Sequence, residues 1–340
     1  MGTRWCTQAI ENRHCARKPA LINGRGKRWK GSGKSLRKRN SSRPARLSWR
    51  GECVLSPAAL FRLQAQGRML NTDIPHDSLP PGVHLGIAGW AIRKEHSHRF
   101  ADVGSHLQRY ATLFNAVEIN SCFYRPHRRR TYERWAASVP DAFRFAVKLP
   151  KVITHEQRMV GVESRLEQFL AETAGLGDKR GPILIQLPPS FAFDAGVVED
   201  FLTQLRRRFD GDAVLEPRHE TWFTHEVDSL LREHRIARVA ADPARVPAAR
   251  NPGGYEGLVY VRLHGSPRIY YSAYPPEVLE SVYTEIKSSV GKGVRTWCIF
   301  DNTALGFATS DAPSVHHWWQ IQAPCYRRCT TFEHLCQPTT

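Results

Sequence analysis

The chain has 340 residues and a formal net charge of +17. That length exceeds a minimal domain and suits one large domain with extensions. The charge is unevenly spread, which excludes a uniformly basic protein: residues 1–70 hold 17 Lys/Arg against Glu11 and Glu52, a net of +15, whereas residues 71–340 hold 32 Lys/Arg and 30 Asp/Glu, a net of +2. No apolar run approaches the roughly 20 residues that span a bilayer, so no membrane partner is expected.

The first 68 residues are a basic extension rich in Arg, Lys, Gly and Ser. Little in it can bury a core, and disorder is the expectation. Gly31-Ser-Gly-Lys-Ser35 resembles part of a phosphate-binding loop but lacks the first glycine, since position 29 is Trp, and lacks a preceding strand. Three readings fit this arm: a nucleic-acid-binding tail, an Arg-rich organellar presequence, or a start codon placed upstream of the true one, with Met69 the alternative. The eight cysteines, at 6, 15, 53, 122, 298, 325, 329 and 336, form no CxxC pair, and no secretory signal precedes them. Reduced thiols in a cytoplasmic protein are expected. Cys325, Cys329, His334 and Cys336 match no standard zinc spacing and read as chance clustering.

From residue 83 the rhythm becomes regular. A strand is expected over 83–89, then a helix over 103–114. The next strand, 116–121, is Ala-Val-Glu-Ile-Asn-Ser, followed by a helix over 129–138. Further strand–helix pairs follow at 144–149 and 162–174, 183–187 and 197–209, and 213–217 and 227–234. A sixth strand at 237–241 leads into a Pro/Gly-rich loop. A seventh at 258–263 precedes a helix over 276–290, and an eighth at 296–300 precedes a short helix over 312–320. Residues 321–340 show no clear pattern. Eight such units over 83–320 predict a (β/α)8 TIM-type barrel, with an open doubly wound sheet as the alternative.

Side chains alternate between the two faces of a strand. Odd positions are apolar: Leu85, Ile87, Val117, Ile119, Phe145, Val147, Ile183, Ile185, Val259, Val261, Trp297 and Ile299. These should face the helices. Even positions carry Trp90, Glu118, Asn120, Lys148, Gln186, Glu216, Arg218, Asp242, Arg262, His264 and Asn302 near the strand ends. They should converge on the carboxyl-end mouth, where barrels hold their sites.

Glu118 and Glu216 are the acid/base candidates, with structural ion pairing as the competing role. Arg218, Arg262 and Lys148 suit a phosphate or carboxylate. Lys148 would form a Schiff base if burial and cations lowered its pKa, and the nearby carboxylates argue against that. His155, His219 and His264, with Glu118, Glu216 and Asp242, could hold a divalent metal, although no HxH or HExxH spacing occurs. Trp90, Phe123, Tyr124, Trp222, Tyr270 and Tyr271 could stack on a ligand or simply pack loops. The loop Gly265-Ser-Pro-Arg268 could present backbone N–H groups to an anion.

Several segments together resemble the YecE-like family, domain of unknown function 72: Gly86-Ile-Ala-Gly-Trp90, Val117-Glu-Ile-Asn-Ser-Cys-Phe-Tyr124, Phe143-Arg-Phe-Ala-Val-Lys-Leu-Pro150 with Thr154-His155, Gln186-Leu-Pro-Pro189, Glu216-Pro-Arg-His-Glu-Thr-Trp222, Arg262-Leu-His-Gly265 and Phe300-Asp-Asn302. Ala88 and Cys122 stand where the family more often has Ser. The resemblance implies a TIM-type barrel. It also implies a shared pocket of Glu118, Asn120, Tyr124, Lys148, His155, Gln186, Glu216, Arg218, Trp222, Arg262, His264 and Asn302. It implies no activity. The expectation is an enzyme of hydrolase, lyase or isomerase type acting on a small anionic metabolite such as a sugar phosphate. His264 would be a second proton carrier and Trp90 a positioning residue. No nucleotide-cofactor motif is present. The alternatives are nucleic-acid binding through residues 1–68 and a non-catalytic metabolite sensor.

Overall fold

The computed structural model describes residues 79–329, with side chains through residue 319. The basic extension, its glycine-rich stretch, His334 and Cys336 lie outside the described residues.

Among the described residues there are ten strands. They are β1 Val83–Ala88, β2 Ala116–Ile119, β3 Arg144–Lys148, β4 Arg180–Gln186, β5 Ala213–Glu216, β6 Ile236–Arg238, β7 Ala240–Asp242, β8 Gly253–Gly254, β9 Leu258–Leu263 and β10 Arg295–Phe300. The helices are α1 His106–Tyr110, α2 Ser121–Tyr124, α3 Arg129–Ala137, α4 Glu163–Thr173, α5 Ala195–Arg208, α6 His225–Glu233, α7 Pro276–Gly291 and α8 Ala308–Cys329. Strands alternate with helices, except that β6 to β9 follow one another with only a 3-10 turn between β7 and β8. The sheet order is β7-β9-β10-β1-β2-β3-β4-β5-β6-β8, parallel throughout except for the β6–β8 pair. The expected sixth strand is divided. Its first part, β6, pairs with β5, and its second part, β7, pairs with β9. A short segment that changes neighbours midway is what staggered, tilted strands produce. It serves both ends of the order, so this is an α/β fold with a nearly closed, barrel-like sheet.

Local sequence explains the helices that clad the sheet. α5 starts at Asp194, whose side chain accepts from Val197 N at 3.1 Å, and buries Val198, Phe201, Leu202 and Leu205 at helical spacing. Arg206, Arg207 and Arg208 close it, where cations suit the helix dipole. α1 is shorter than the predicted 103–114, because Ser105 and Gln108 form a capping box that starts the helix late. Tyr110 at its end does a strand's work: its hydroxyl donates to Ala116 O and accepts from Ile87 N, each at 2.8 Å. At the other end of the chain, α8 continues through Cys329, past the residue where an irregular tail was expected.

The core has two layers. Leu85, Ile87, Val117, Ile119, Phe145, Val147, Ile183 and Ile185 pack outward with the helices, as predicted. Inside the sheet lie Ala116, Ala146, Leu184, Val214, Ala237, Val239, Leu258, Tyr260, Trp297 and Ile299. Trp297 and Ile299 therefore correct the expectation that they face the helices. Trp297 is level with Tyr260, and Ile299 with Arg262. Level residues on parallel neighbours point to the same face, so odd numbers turn inward in β10. The same shift affects β7, where Ala241 is level with Arg262 and Asp242 with the outward Leu263.

Candidate functional site

Inward positions at the carboxyl ends of the strands build one charged network around Arg262, which is fully buried. A buried guanidinium is tolerable only when its charge and its five donors are matched. Arg262 Nε donates to Glu118 Oε2 at 3.0 Å and Nη2 to Glu118 Oε1 at 2.7 Å, a bidentate fork. Nη1 donates to Glu216 Oε2 at 2.5 Å, and Nη2 also reaches Asp301 Oδ2 at 3.0 Å. Tyr260 adds a hydroxyl to Glu118 Oε2 at 2.8 Å. Glu118 has no exposed surface, and both its oxygens are committed.

Glu216 links this base to the mouth. Its Oε1 accepts from Gln186 Nε2 at 3.1 Å and from Arg218 Nε at 2.9 Å. His264 Nε2 lies 3.3 Å from the same oxygen but outside hydrogen-bond geometry, and His264 Nδ1 is 3.0 Å from Asp301 Oδ2. Burial favours a neutral Glu216, but Arg262, His264 and Arg218 outweigh it and hold the carboxyl well below the usual range. Asp301 is also lowered: burial opposes ionisation, and Arg262 and His264 overcome it. For His264, burial disfavours the charge, yet Glu216 and Asp301 raise its pKa above the ordinary value.

The upper side of the site is cationic. Lys148 ends β3, and its Nζ sits 4.2 Å from the centroid of the Phe123 ring. Burial and Arg262 lower its pKa to about 8, although Glu118, Glu216 and Asp301 pull the other way. His155, in a π-helical turn at Val152–Glu156, meets the same ring edge-on at 5.0 Å. Burial, Lys148 and Arg218 lower His155 to about 4, so it is neutral at pH 7. Asn120, at the end of β2, has a buried Oδ1 without a partner among the described residues. A small cleft opens beside Glu216, Arg218 and His264, with Phe223, Pro243 and Ile269 in its walls.

Tyr270 covers His264 edge-on at 5.8 Å and is held in left-handed backbone, φ +69°. Its N–H donates to His264 O. Such strain in a non-glycine residue is typical of functional loops. Gly265 permits the turn beside it: at φ +92°, a Cβ there would meet Ser272 O at 2.6 Å.

Other expected site residues lie elsewhere. Asn302 is fully buried and donates to Ser272 O and to Asp311 Oδ2, outside the charged network. Trp222 is fully buried too, its Nε1 donating to Phe191 O at 2.7 Å, so it supports a loop and cannot stack on a ligand. Trp90 packs against Trp135. Tyr124 is 81 % exposed, and Tyr271 lies under the Arg268 guanidinium. Asp242 acts on the Tyr274 phenol, and the half-buried His219 ring bonds Thr221. The mixed set named for a metal is thus not brought together, and among the described residues no cluster of His, Cys, Asp or Glu is arranged to hold one. Asp301 is the residue that sequence reasoning missed. The motif Phe300-Asp-Asn302 contained it, but the parity of the other strands selected Asn302.

A barrel-like α/β protein with a buried charged network at its carboxyl-end mouth is the class that fold and site define. The family model for "Protein of unknown function DUF72" matches residues 84–329. The chain belongs to the DUF72 family. It is 28 % identical over 188 residues to the UPF0759 protein YecE of Escherichia coli K12, a match covering 54 % of this chain and 62 % of that protein. The UPF0759 protein YunF of Bacillus subtilis 168 is 26 % identical over 148 residues, 42 % of this chain and 52 % of YunF. The chain therefore spans less than two thirds of the length of these curated relatives. Crystal structures of DUF72 proteins from Enterococcus faecalis V583 (TM-score 0.60, 19 % identity, 70 % of this chain and 95 % of that one) and Thermotoga maritima MSB8 (TM-score 0.57, 23 % identity, 71 % and 99 %) share the fold. Among the described residues no helix is long and apolar enough to cross a membrane.

Proposed function

We propose that this chain is a (β/α)8 enzyme whose mouth binds a small anionic polar metabolite, such as a sugar phosphate or an organic acid. The charge balance of the network carries this reading. Arg262, Arg218 and Lys148 face Glu118, Glu216 and Asp301, three charges against three, and a protonated His264 leaves the cluster at +1. An incoming anion would neutralise that excess where low dielectric makes it count. The poorly aligned His264 Nε2 supports it, since a buried polar atom without a partner calls for a ligand or water, and the unpartnered Asn120 Oδ1, an acceptor, suits a donor such as a hydroxyl on the same ligand.

Within this reading Arg218 and Lys148 hold the anion, and His264, whose pKa Glu216 and Asp301 raise above the ordinary value, is the proton carrier. Glu216 and Asp301 orient it. Glu118 does not act as an acid or base, because its oxygens are saturated and sealed from solvent; it fixes Arg262. Proton transfer without a nucleotide cofactor suits hydrolase, lyase or isomerase chemistry.

The test is a thermal-shift screen of the full chain against sugar phosphates, organic acids, nucleotides and divalent metals. A ligand at about 100 times its Kd adds about 2.7 kcal/mol, roughly 5–10 °C for a domain of this size. The shift should disappear in Arg218→Ala. If no anion shifts a folded protein, the reading fails; binding without turnover of any hit makes the protein a sensor. A nucleic-acid role rests separately on the +15 charge of residues 1–70. It requires binding that weakens steeply with salt and is lost on removal of residues 1–68.

A further inference from the structure

The lysine at the end of β3 has been left without an acceptor. Arg262 and Tyr260 take both Glu118 oxygens. Gln186 and Arg218 take one oxygen of Glu216, and Arg262 takes the other. Arg262 and His264 converge on Asp301 Oδ2. Lys148 Nζ makes no hydrogen bond or ion pair among the described residues; it rests against the face of Phe123. The residue is only 9 % exposed. Its neighbour in sequence, Lys151, shows the ordinary arrangement, an exposed ammonium 3.2 Å from Glu156.

An amine that is desolvated, next to a guanidinium and deprived of carboxylate contacts loses part of its hold on the proton. That is how a lysine becomes nucleophilic near neutral pH. Glu118, Glu216 and Asp301 pull the other way. Arg262 binds all three and offsets part of that pull. His155, which meets the same Phe123 ring edge-on, is neutral at pH 7. Lys148 also occupies the carboxyl end of a barrel strand, facing the mouth that the anion reading assigns to substrate.

We propose that Lys148 is an imine-forming nucleophile for a small anion that carries an aldehyde or ketone carbonyl, such as a 2-oxo acid or a phosphorylated aldehyde. The inference rests on the anion-binding reading of the same mouth and adds the carbonyl to it. Lys148 first gives its ammonium proton to solvent. The Nζ lone pair then adds to the carbonyl carbon, and the carbonyl π pair moves to oxygen, which takes a proton. The carbinolamine hydroxyl leaves as water with a second proton from solvent while nitrogen gives up one of its two, so that amine, carbonyl and one proton give a protonated imine and water. No oxidant or reductant takes part. Arg218 is placed to hold the substrate's anionic group, and the resulting protonated imine can accept electrons from an adjacent breaking C–H or C–C bond.

The experiment incubates the full-length protein with glyoxylate, and separately with glyceraldehyde 3-phosphate, in the presence of cyanoborohydride, which traps an imine as a stable secondary amine. Peptide mapping then compares Lys148 with the exposed Lys151 and Lys292. At pH 7.5 an amine of pKa about 8 has roughly two hundredfold more free base than an ordinary lysine. Labelling at Lys148 should therefore exceed that at either exposed lysine at least tenfold, be half-maximal near pH 8, and be absent from Lys148→Met. Thermal shifts with the same two anions are recorded in parallel. A shift that is lost in Arg218→Ala, with Lys148 labelled no faster than Lys151, overturns the imine and leaves anion binding standing. Neither a shift nor preferential labelling overturns both.

Discussion

Lys148→Met removes a cation that burial and Arg262 penalise, and the variant should unfold at a higher temperature than the wild type. The magnitude follows from the pKa. A fall from 10.5 to about 8 corresponds to about 3 kcal/mol of penalty on the charged form at neutral pH. Methionine gives up the cation–π contact with Phe123, which returns about 1 kcal/mol, but keeps the apolar packing. The net gain is about 2 kcal/mol, or roughly 4–8 °C in Tm for a domain of this size. The sign can be checked by pH. Between about 8 and 10.5 the folded wild type binds fewer protons than the unfolded chain, so its stability rises with pH across that window. The advantage of Lys148→Met should be full below pH 8 and gone near pH 10.5. Thermal and urea unfolding at pH 7, 9 and 10.5 would measure it. A variant less stable at pH 7, or an advantage that does not change with pH, refutes the account of Lys148 as a strained, acceptor-less cation. A residue that costs stability at the mouth of a site is what a stability–activity trade-off produces.

Arg262→Met should lose about 3–5 kcal/mol in urea unfolding, because Glu118 would be left buried without its counter-charge and Glu216 with Arg218 alone; near-wild-type stability would show that the network relaxes at little cost. His264 has a raised folded pKa, so its stabilising contribution is complete below about pH 6.5 and is lost as pH rises through the folded value. The stability difference between wild type and His264→Gln should accordingly shrink as pH rises above about 6.5, and a difference that grows with pH would reverse the assignment. Gly265→Ala places a Cβ 2.6 Å from Ser272 O at φ +92° and should cost about 1–3 kcal/mol. It should also blunt the thermal shift from any anion, because the turn sets His264 and Tyr270; an unchanged Tm would mean the loop yields freely.

The amino-acid sequence by itself determined the alternation of strand and helix from residue 83 and the two faces of most strands. The same polar residues recur at strand ends. Glu118, Glu216, Arg262 and His264 could therefore be singled out before any tertiary contact was known, and they do meet. Within one strand, side-chain direction follows from counting by twos. Between strands counting fails, because a connecting loop of odd or even length resets the parity, and only hydrogen-bonded register restores it. That is why Asp301 points in and Asn302 and Asp242 point out, against expectation. Trp222 looked like a rim aromatic until Phe191 and Phe193 enclosed it. Lys148 is the sharpest case. Its neighbours in the chain are apolar, and carboxylates from three other strand ends should have kept it charged. Only the tertiary arrangement inserts Arg262 among those carboxylates, and the short-range Coulomb balance there, set by residues far apart in sequence, decides what the lysine can do.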